Sequence, residues 1–218
     1  MLRFCLKRIS FSAGWNKSFF RVIEKKGATM KKQEQICGIV FDAISIKSGI
    51  FYDVANDKMQ GYEDLGEYAS SKKIAQYAMV FMARGLASNW KQTLGFFYFH
   101  KSVKSEILCK MISDCFTKLK DSGFIPKFVI CHQDTTNRSV FNKFCITSYS
   151  PSLLHNGDDI YFFFDTPHLL KSIRNNLMKY DFKVDNKIIS WKYVVDFYKE
   201  ILQCTFASLP NCMTNMFF

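Results

Sequence analysis

Three features are absent from this 218-residue sequence, and each absence excludes something. There is no run of about 18 to 20 apolar residues, the length that a membrane-spanning helix requires. The longest apolar stretches, such as residues 160–164, have the length of buried strands. The eight cysteines (Cys5, Cys37, Cys109, Cys115, Cys131, Cys145, Cys204 and Cys212) include no C-x-x-C pair, and no secretory leader precedes them. That argues against a disulfide framework and for a reducing, intracellular compartment. His132 follows Cys131, but the remaining histidines do not fall at zinc-ligand spacing. The third absence is of any internal repeat or low-complexity tract, which excludes a solenoid.

What is present is apolar bulk and positive charge. Hydrophobic residues make up 48% of the chain and Phe alone numbers 23, enough for one full domain, or one domain plus part of another. The net charge of +11 is unevenly spread. Residues 1–36 hold nine basic side chains (Arg3, Lys7, Arg8, Lys17, Arg21, Lys25, Lys26, Lys31 and Lys32) against Glu24 and Glu34, or +7, which leaves +4 for the other 182. A basic lead-in over residues 1–35 suits a polyanion such as DNA, and it equally suits a solvated arm. The first 23 residues lack acids and carry five basic residues with Ser10, Ser12 and Ser18, which also fits a mitochondrial leader.

Residues 36–41 are nearly all apolar and predict a strand buried on both faces, with Asp42 directly after it. Residues 50–52 and 58–62 flank the turn-forming Ala55-Asn56-Asp57 and predict a hairpin. Residues 74–84 and 93–99 are rich in β-formers and complete an antiparallel meander. The period then turns helical: Val103, Ile107, Leu108, Met111, Ile112, Cys115, Phe116 and Leu119 share one face. Ser102 is placed to cap that helix and Gly123 to end it. Residues 127–131 predict a second buried strand, and Thr135 or Thr136 then caps a brief helix. Residues 160–164 predict a third strand, Asp165-Thr-Pro167 opens a helix, and a last amphipathic helix covers 188–202. His100 and His155 fall in loops. In the run Phe96-Phe97-Tyr98 the aromatic rings read as core packing or as a base-stacking platform. The order gives an α/β fold, a mixed sheet with helices on its faces.

Acids at the ends of buried strands are the chemically informative feature. Carboxylates on adjacent strands can hold two divalent metals roughly 3.5–4 Å apart, one activating the attacking oxygen and one stabilising the leaving oxygen. Asp42 meets the first requirement, although a strand-end Asp also serves simply to shape a turn.

Four longer motifs stand in order along the chain. The run Phe41-Asp-Ala-Ile-Ser-Ile-Lys-Ser-Gly49 resembles the F-D-E-M-S-I-K-x-G of P-element-type, THAP-domain transposases. Gln60-Gly-Tyr-Glu-Asp-Leu-Gly66 resembles their G-[FY]-x-D-x-G. Phe81-Met-Ala-Arg-Gly-Leu-Ala-Ser-Asn-Trp-Lys-Gln92 is similar to V-F-M-x-R-G-L-x-x-x-W-K-Q. Phe164-Asp-Thr-Pro-His-Leu-Leu-Lys-Ser-Ile-Arg-Asn-Asn-Leu-Met-Lys-Tyr180 is similar to D-x-P-H-L-L-K-x-[IV]-R-N-N-L, almost residue for residue.

This resemblance, which runs from about Phe11 to Lys199, implies an RNase H-like transposase core over residues 36–166. It also implies the start of an inserted GTP-binding-type helical domain over 167–218, expected to be truncated. The implied chemistry is cut-and-paste cleavage and joining of DNA with Mg²⁺ or Mn²⁺, and the implied partners are transposon ends and further copies of the chain, in the nucleus. Asp42 matches the family's first catalytic carboxylate, with Ala43 replacing an acidic neighbour. The family's C-D-Q-G-x-N-N stands here as Cys131-His132-Gln133-Asp134-Thr135-Thr136-Asn137. His132 therefore occupies the position of the second metal-binding acid, and Asp134 follows two residues later. A neutral imidazole brings no negative charge and prefers softer metals than Mg²⁺. Asp42, His132 and Asp134 are the candidate metal ligands, with Asp42 and Asp134 as the catalytic pair. Asp165 reads as a helix cap, or as a residue placing metal or nucleotide. Lys171 and Arg174 are the candidates for nucleotide phosphate.

The family's third acid lies beyond the insertion. Glu200 reads as a solvated helix residue, residues 205–218 match no family pattern, and the family's N-terminal zinc finger has no counterpart before Gly14. The expectation is a transposase core impaired as a catalyst. The alternative is a non-catalytic, domesticated or decayed remnant that binds DNA or a transposase partner.

Overall fold

A computed structural model describes residues 12–54 and 57–207, with the side chains of 203–207 excepted. Residues 1–11 of the 23-residue segment that fits a leader, Cys5, Cys212 and residues 208–218 of the unmatched tail lie outside the described residues. The chain divides into two compact units, residues 1–165 and 166–218. No helix among the described residues is long and apolar enough to cross a membrane.

The first unit opens with β1 (Gly14–Trp15) and helix α1 (Lys17–Gly27). Strand β2 (Ile36–Ser45) follows, then the small hairpin of β3 (Phe51–Asp53) and β4 (Lys58–Gln60). Next come β5 (Tyr62–Asp64), β6 (Ser70–Ile74), β7 (Tyr77–Gly85) and β8 (Lys91–Phe99). Helix α2 (Ser105–Asp121), β9 (Ile125–Cys131), helix α3 (Thr135–Lys143), β10 (Ser152–His155) and β11 (Asp158–Phe164) complete it. The main sheet runs β10-β11-β9-β2-β7-β8-β5-β6, with β1 also on β8. Strands β11, β9 and β2 are mutually parallel and the other pairs are antiparallel.

Alternation along the strands decides which residues reach the core. Ile39, Phe41, Phe81, Phe97, Val129 and Cys131 are buried in one cluster with Leu108, Met111, Ile112, Cys115 and Phe116 of α2. Each fully buried Phe here contributes roughly 1.5–3 kcal/mol by leaving water. Phe141 of α3 stacks on Phe164 at 4.3 Å on the same side of the sheet. The opposite face carries the even-numbered residues of β2, namely Gly38, Val40, Asp42 and Ile44. Gly38 leaves room there for the Phe128 ring on the neighbouring strand, which would have to shift to admit a Cβ only 2.0 Å away.

Several elements depart from the sequence expectations. Residues 14–35 are not a free arm: Trp15 packs edge-on against Phe81 and Phe97 at 5.1 and 5.0 Å, and Ile23 of α1 is 1% exposed. The β2 strand continues past Asp42 because β7 pairs with it as far as Ser45↔Tyr77. Lys104, not Ser102, occupies the N-cap of α2, and no side-chain hydrogen bond is made there. Residues 74–84 are two strands, broken at Ala75 and Gln76. His155 is a strand residue at a tight β10–β11 hairpin, where Asn156 and Gly157 take φ of 48° and 83°.

The second unit holds helix α4 (Thr166–Leu177), a hairpin of β12 (Phe182–Val184) and β13 (Lys187–Ile189), and helix α5 (Trp191–Ala207). Ile188 therefore belongs to a strand and not to the last helix. No residue of α4 is buried, and Ile173, Tyr193 and Phe197 are all exposed.

Candidate functional site

The three parallel strands bring the sequence-predicted acids to one end of the sheet. Phe41 of β2 and Phe164 of β11 both register with Cys131 of β9. The residues that follow, Asp42 within β2 and His132 and Asp165 just past β9 and β11, therefore stand at the same level across three adjacent strands. The Asp165 N–H donates to the Cys131 carbonyl at 2.9 Å, which extends that ladder by one step. Asp42 is exposed on the face away from α2 and α3, and its Oδ1 accepts the Ala43 N–H at 2.7 Å. Burial, with smaller contributions from the charges of Asp134 and Asp42, raises the Cys131 thiol to about 12, so both carboxylates lie within electrostatic reach of that sulfur.

Asp134 has a structural task that the sequence reading gave to its neighbours. It is the N-cap of α3, in place of Thr135 or Thr136. Its Oδ1 accepts the Asn137 N–H at 2.7 Å and its Oδ2 accepts from Asn137 Nδ2 at 3.2 Å. Asn137 is 5% exposed, the one buried polar residue among those described. Its Nδ2 also donates to the His132 carbonyl at 2.8 Å, and that carbonyl accepts the Asp134 N–H at 3.1 Å. One buried amide thus fixes the loop 132–134. Asn137 was not singled out from the sequence; its place at the end of the C-D-Q-G-x-N-N pattern was the available signal.

The donor set fits a two-metal centre poorly. Among the described residues, no group of three or more His, Cys, Asp or Glu side chains gathers as a metal-binding set. Both oxygens of Asp134 are engaged by Asn137, and His132 contributes an uncharged donor at most. Both candidate carboxylates are exposed, Asp42 on the face away from α2 and α3 and Asp134 held by Asn137 at the start of α3.

The second and third motifs resolve into scaffold. In the second motif, Asp64 Oδ1 accepts the Gly66 N–H at 2.9 Å in a turn where Gly66 takes φ of 61°. In the third, Trp90 Nε1 donates to the Glu34 carbonyl at 3.0 Å and its ring packs against Phe124. Phe97 is core, whereas Phe96 and Tyr98 line a shallow groove of about 370 Å³ with Phe19, Ile46, Val80 and Thr93. Register places that groove on the Asp42 face, because Asp42 pairs with Val80 and Val80 with Phe96. In the second unit Lys171 and Arg174 are exposed on α4, and Arg174 donates to the Asn175 side chain at 2.9 Å.

Comparison with known proteins bears on the whole arrangement. A family model described as TNP-like, RNase H N-terminal domain, matches residues 11–145. The DNA transposase THAP9 of Homo sapiens is 24% identical over 211 residues, covering 90% of this chain and 23% of that protein. The Transposable element P transposase of Drosophila melanogaster is 24% identical over 164 residues, covering 74% of this chain and 20% of that protein. The chain thus spans under a quarter of the length of these relatives. In a solved structure, the Drosophila P element transposase strand transfer complex, one chain superposes with a TM-score of 0.73 at 18% identity. That match covers 89% of this chain and 40% of the solved one, so the two share the RNase H-like fold.

Proposed function

Since the chain belongs to the P-element-type transposase family, whose RNase H N-terminal domain it carries, we propose that it is a transposase core segment that engages DNA but does not itself carry out strand transfer. The observation that supports the second half is the state of the second acid. His132 stands where the family has a metal-binding Asp, and the nearby Asp134 is committed to capping α3. Divalent metal use is general to transposases of this family. Asp42 keeps the place of the first carboxylate, with His132 and Asp134 as the remaining candidate ligands. These residues fit a two-metal site too poorly for any catalytic step to be assigned through it.

The same reading makes transposon-end DNA the partner, further copies of the chain its associates and the nucleus its compartment. Residues 167–218 then begin a GTP-binding-type insertion, with Lys171 and Arg174 directed at nucleotide phosphate, and Mg²⁺ or Mn²⁺ is the metal tested.

The test is incubation of the purified chain with a labelled duplex carrying transposon terminal repeats, with Mg²⁺ and separately with Mn²⁺. Nicking and joining are expected to stay at the level of an Asp42→Ala variant. Metal-dependent cleavage that Asp42→Ala abolishes would sink the proposal.

A further inference from the structure

Lys17 and Arg21 of helix α1 add charge that the helix's own stability does not explain, whereas Lys25 lies in the last turn, where the helix dipole favours a cation. Lys17, Arg21 and Lys25 recur at four-residue spacing and all are exposed. Like charges at that spacing destabilise a helix. The first turn also holds no acid and does hold Lys17, the reverse of what the helix dipole favours. Asn16 offsets part of this, accepting the Ser18 and Phe19 N–H groups at 2.9 and 3.3 Å.

Packing fixes which way the charges point. Ile23 and Gly27 are buried and Phe20 is packed against the core, so one side of α1 is committed to the unit. Helical spacing turns Lys25 outward and Arg21 and Lys17 progressively toward the flank of the helix, where the two line a groove with Glu24, Glu67, Lys118 and Asp121. Lys26 lies over the Trp90 ring at 5.4 Å, and Lys31 and Lys32 continue the exposed basic run. Glu24 is the helix's single acid. None of the ion pairs among the described residues involves Lys17, Arg21 or Lys25.

Four residues of helix advance about 6 Å, so the three cations span about 12 Å. A duplex strand presents a phosphate roughly every 3.4 Å of its axis, and a line of that length faces three or four of them. Membrane binding is disfavoured, because the apolar side that would enter a bilayer is already buried in the protein.

We propose that the exposed side of α1, through Lys17, Arg21 and Lys25, binds the phosphate backbone of duplex DNA without reading its sequence. This rests on the reading of DNA as the partner and names a surface other than the strand-end residues.

The test is fluorescence anisotropy of a labelled random-sequence duplex across a range of KCl concentrations. The triple variant Lys17→Gln, Arg21→Gln, Lys25→Gln is compared with Lys179→Gln, Lys183→Gln, Lys187→Gln, which loses the same charge from the second unit. The α1 variant is expected to bind at least roughly tenfold more weakly near 100 mM salt. Its salt slope should be shallower by about two to three, since each phosphate that the protein no longer neutralises removes about 0.9. The second variant should behave as the unchanged chain.

Equal losses in both variants, or an α1 variant that binds like the unchanged chain, overturn the inference while DNA binding itself stands. An unchanged chain that ignores DNA, or that prefers phosphatidylserine vesicles, removes the DNA reading as well. Acetylation footprinting of the unchanged chain is independent of variant folding: bound duplex should protect Lys17 and Lys25 and leave Lys183 reactive, and the absence of such protection counts against the proposal.

Discussion

The thiol of Cys131 registers its surroundings more sharply than any other single side chain at the strand ends. Burial is the larger cause of its rise to about 12, and the neighbouring Asp134 and Asp42 charges add to it. Cys37 reaches about 12 by burial alone. At pH 9 a thiol with that pKa is thiolate in roughly one molecule in a thousand. Alkylation with iodoacetamide at pH 9, mapped by peptide mass spectrometry, should therefore spare Cys37 and Cys131 while modifying the exposed Cys145. Rapid labelling of Cys131 in the folded chain would show that the β9 end opens readily. The sign of the linkage follows from the raised values. Both thiols favour the folded state fully below the ordinary pKa of 9.0, and that contribution falls away as pH rises toward about 12.

Helix α3 depends on one cap and one buried amide. Asp134→Ala is expected to lower stability by about 1 kcal/mol, and Asp134→Asn, which keeps an acceptor for the Asn137 N–H, by a few tenths at most. Denaturant melts of the two variants measure this. Equal, negligible losses would mean that Asp134 does not carry the cap and is available for other work. The sequence locates this helix but points to Thr135 or Thr136 as its cap. All three residues are chemically able to cap, and only the extended backbone at Asp134, with φ of −106° and ψ of 176°, separates them. The β10–β11 hairpin is legible in principle, because Asn156-Gly157 is a strong two-residue turn signal. It reads as a loop instead because the flanking residues Ser152 and His155 lack the apolar alternation that marks a strand.

Across the whole molecule, burial is confined to the first unit. Every buried residue among those described lies within residues 12–165, and α4 adds none. A chain ending at Asp165 should accordingly melt within about 2 °C of the full chain, followed by circular dichroism. A much lower transition would mean that the second unit stabilises the first. The sequence by itself determined the buried strands, the face of α2 and the family. Each of these is written in local periodicity or in a contiguous motif. Tertiary structure alone decided that α1 joins the core and that Asp42, His132 and Asp165 stand level across three strands. It also decided that Asp134 is held by Asn137. Strand register joins residues far apart in the chain, and a hydrogen-bonding group's partner is known only once the loop around it has folded.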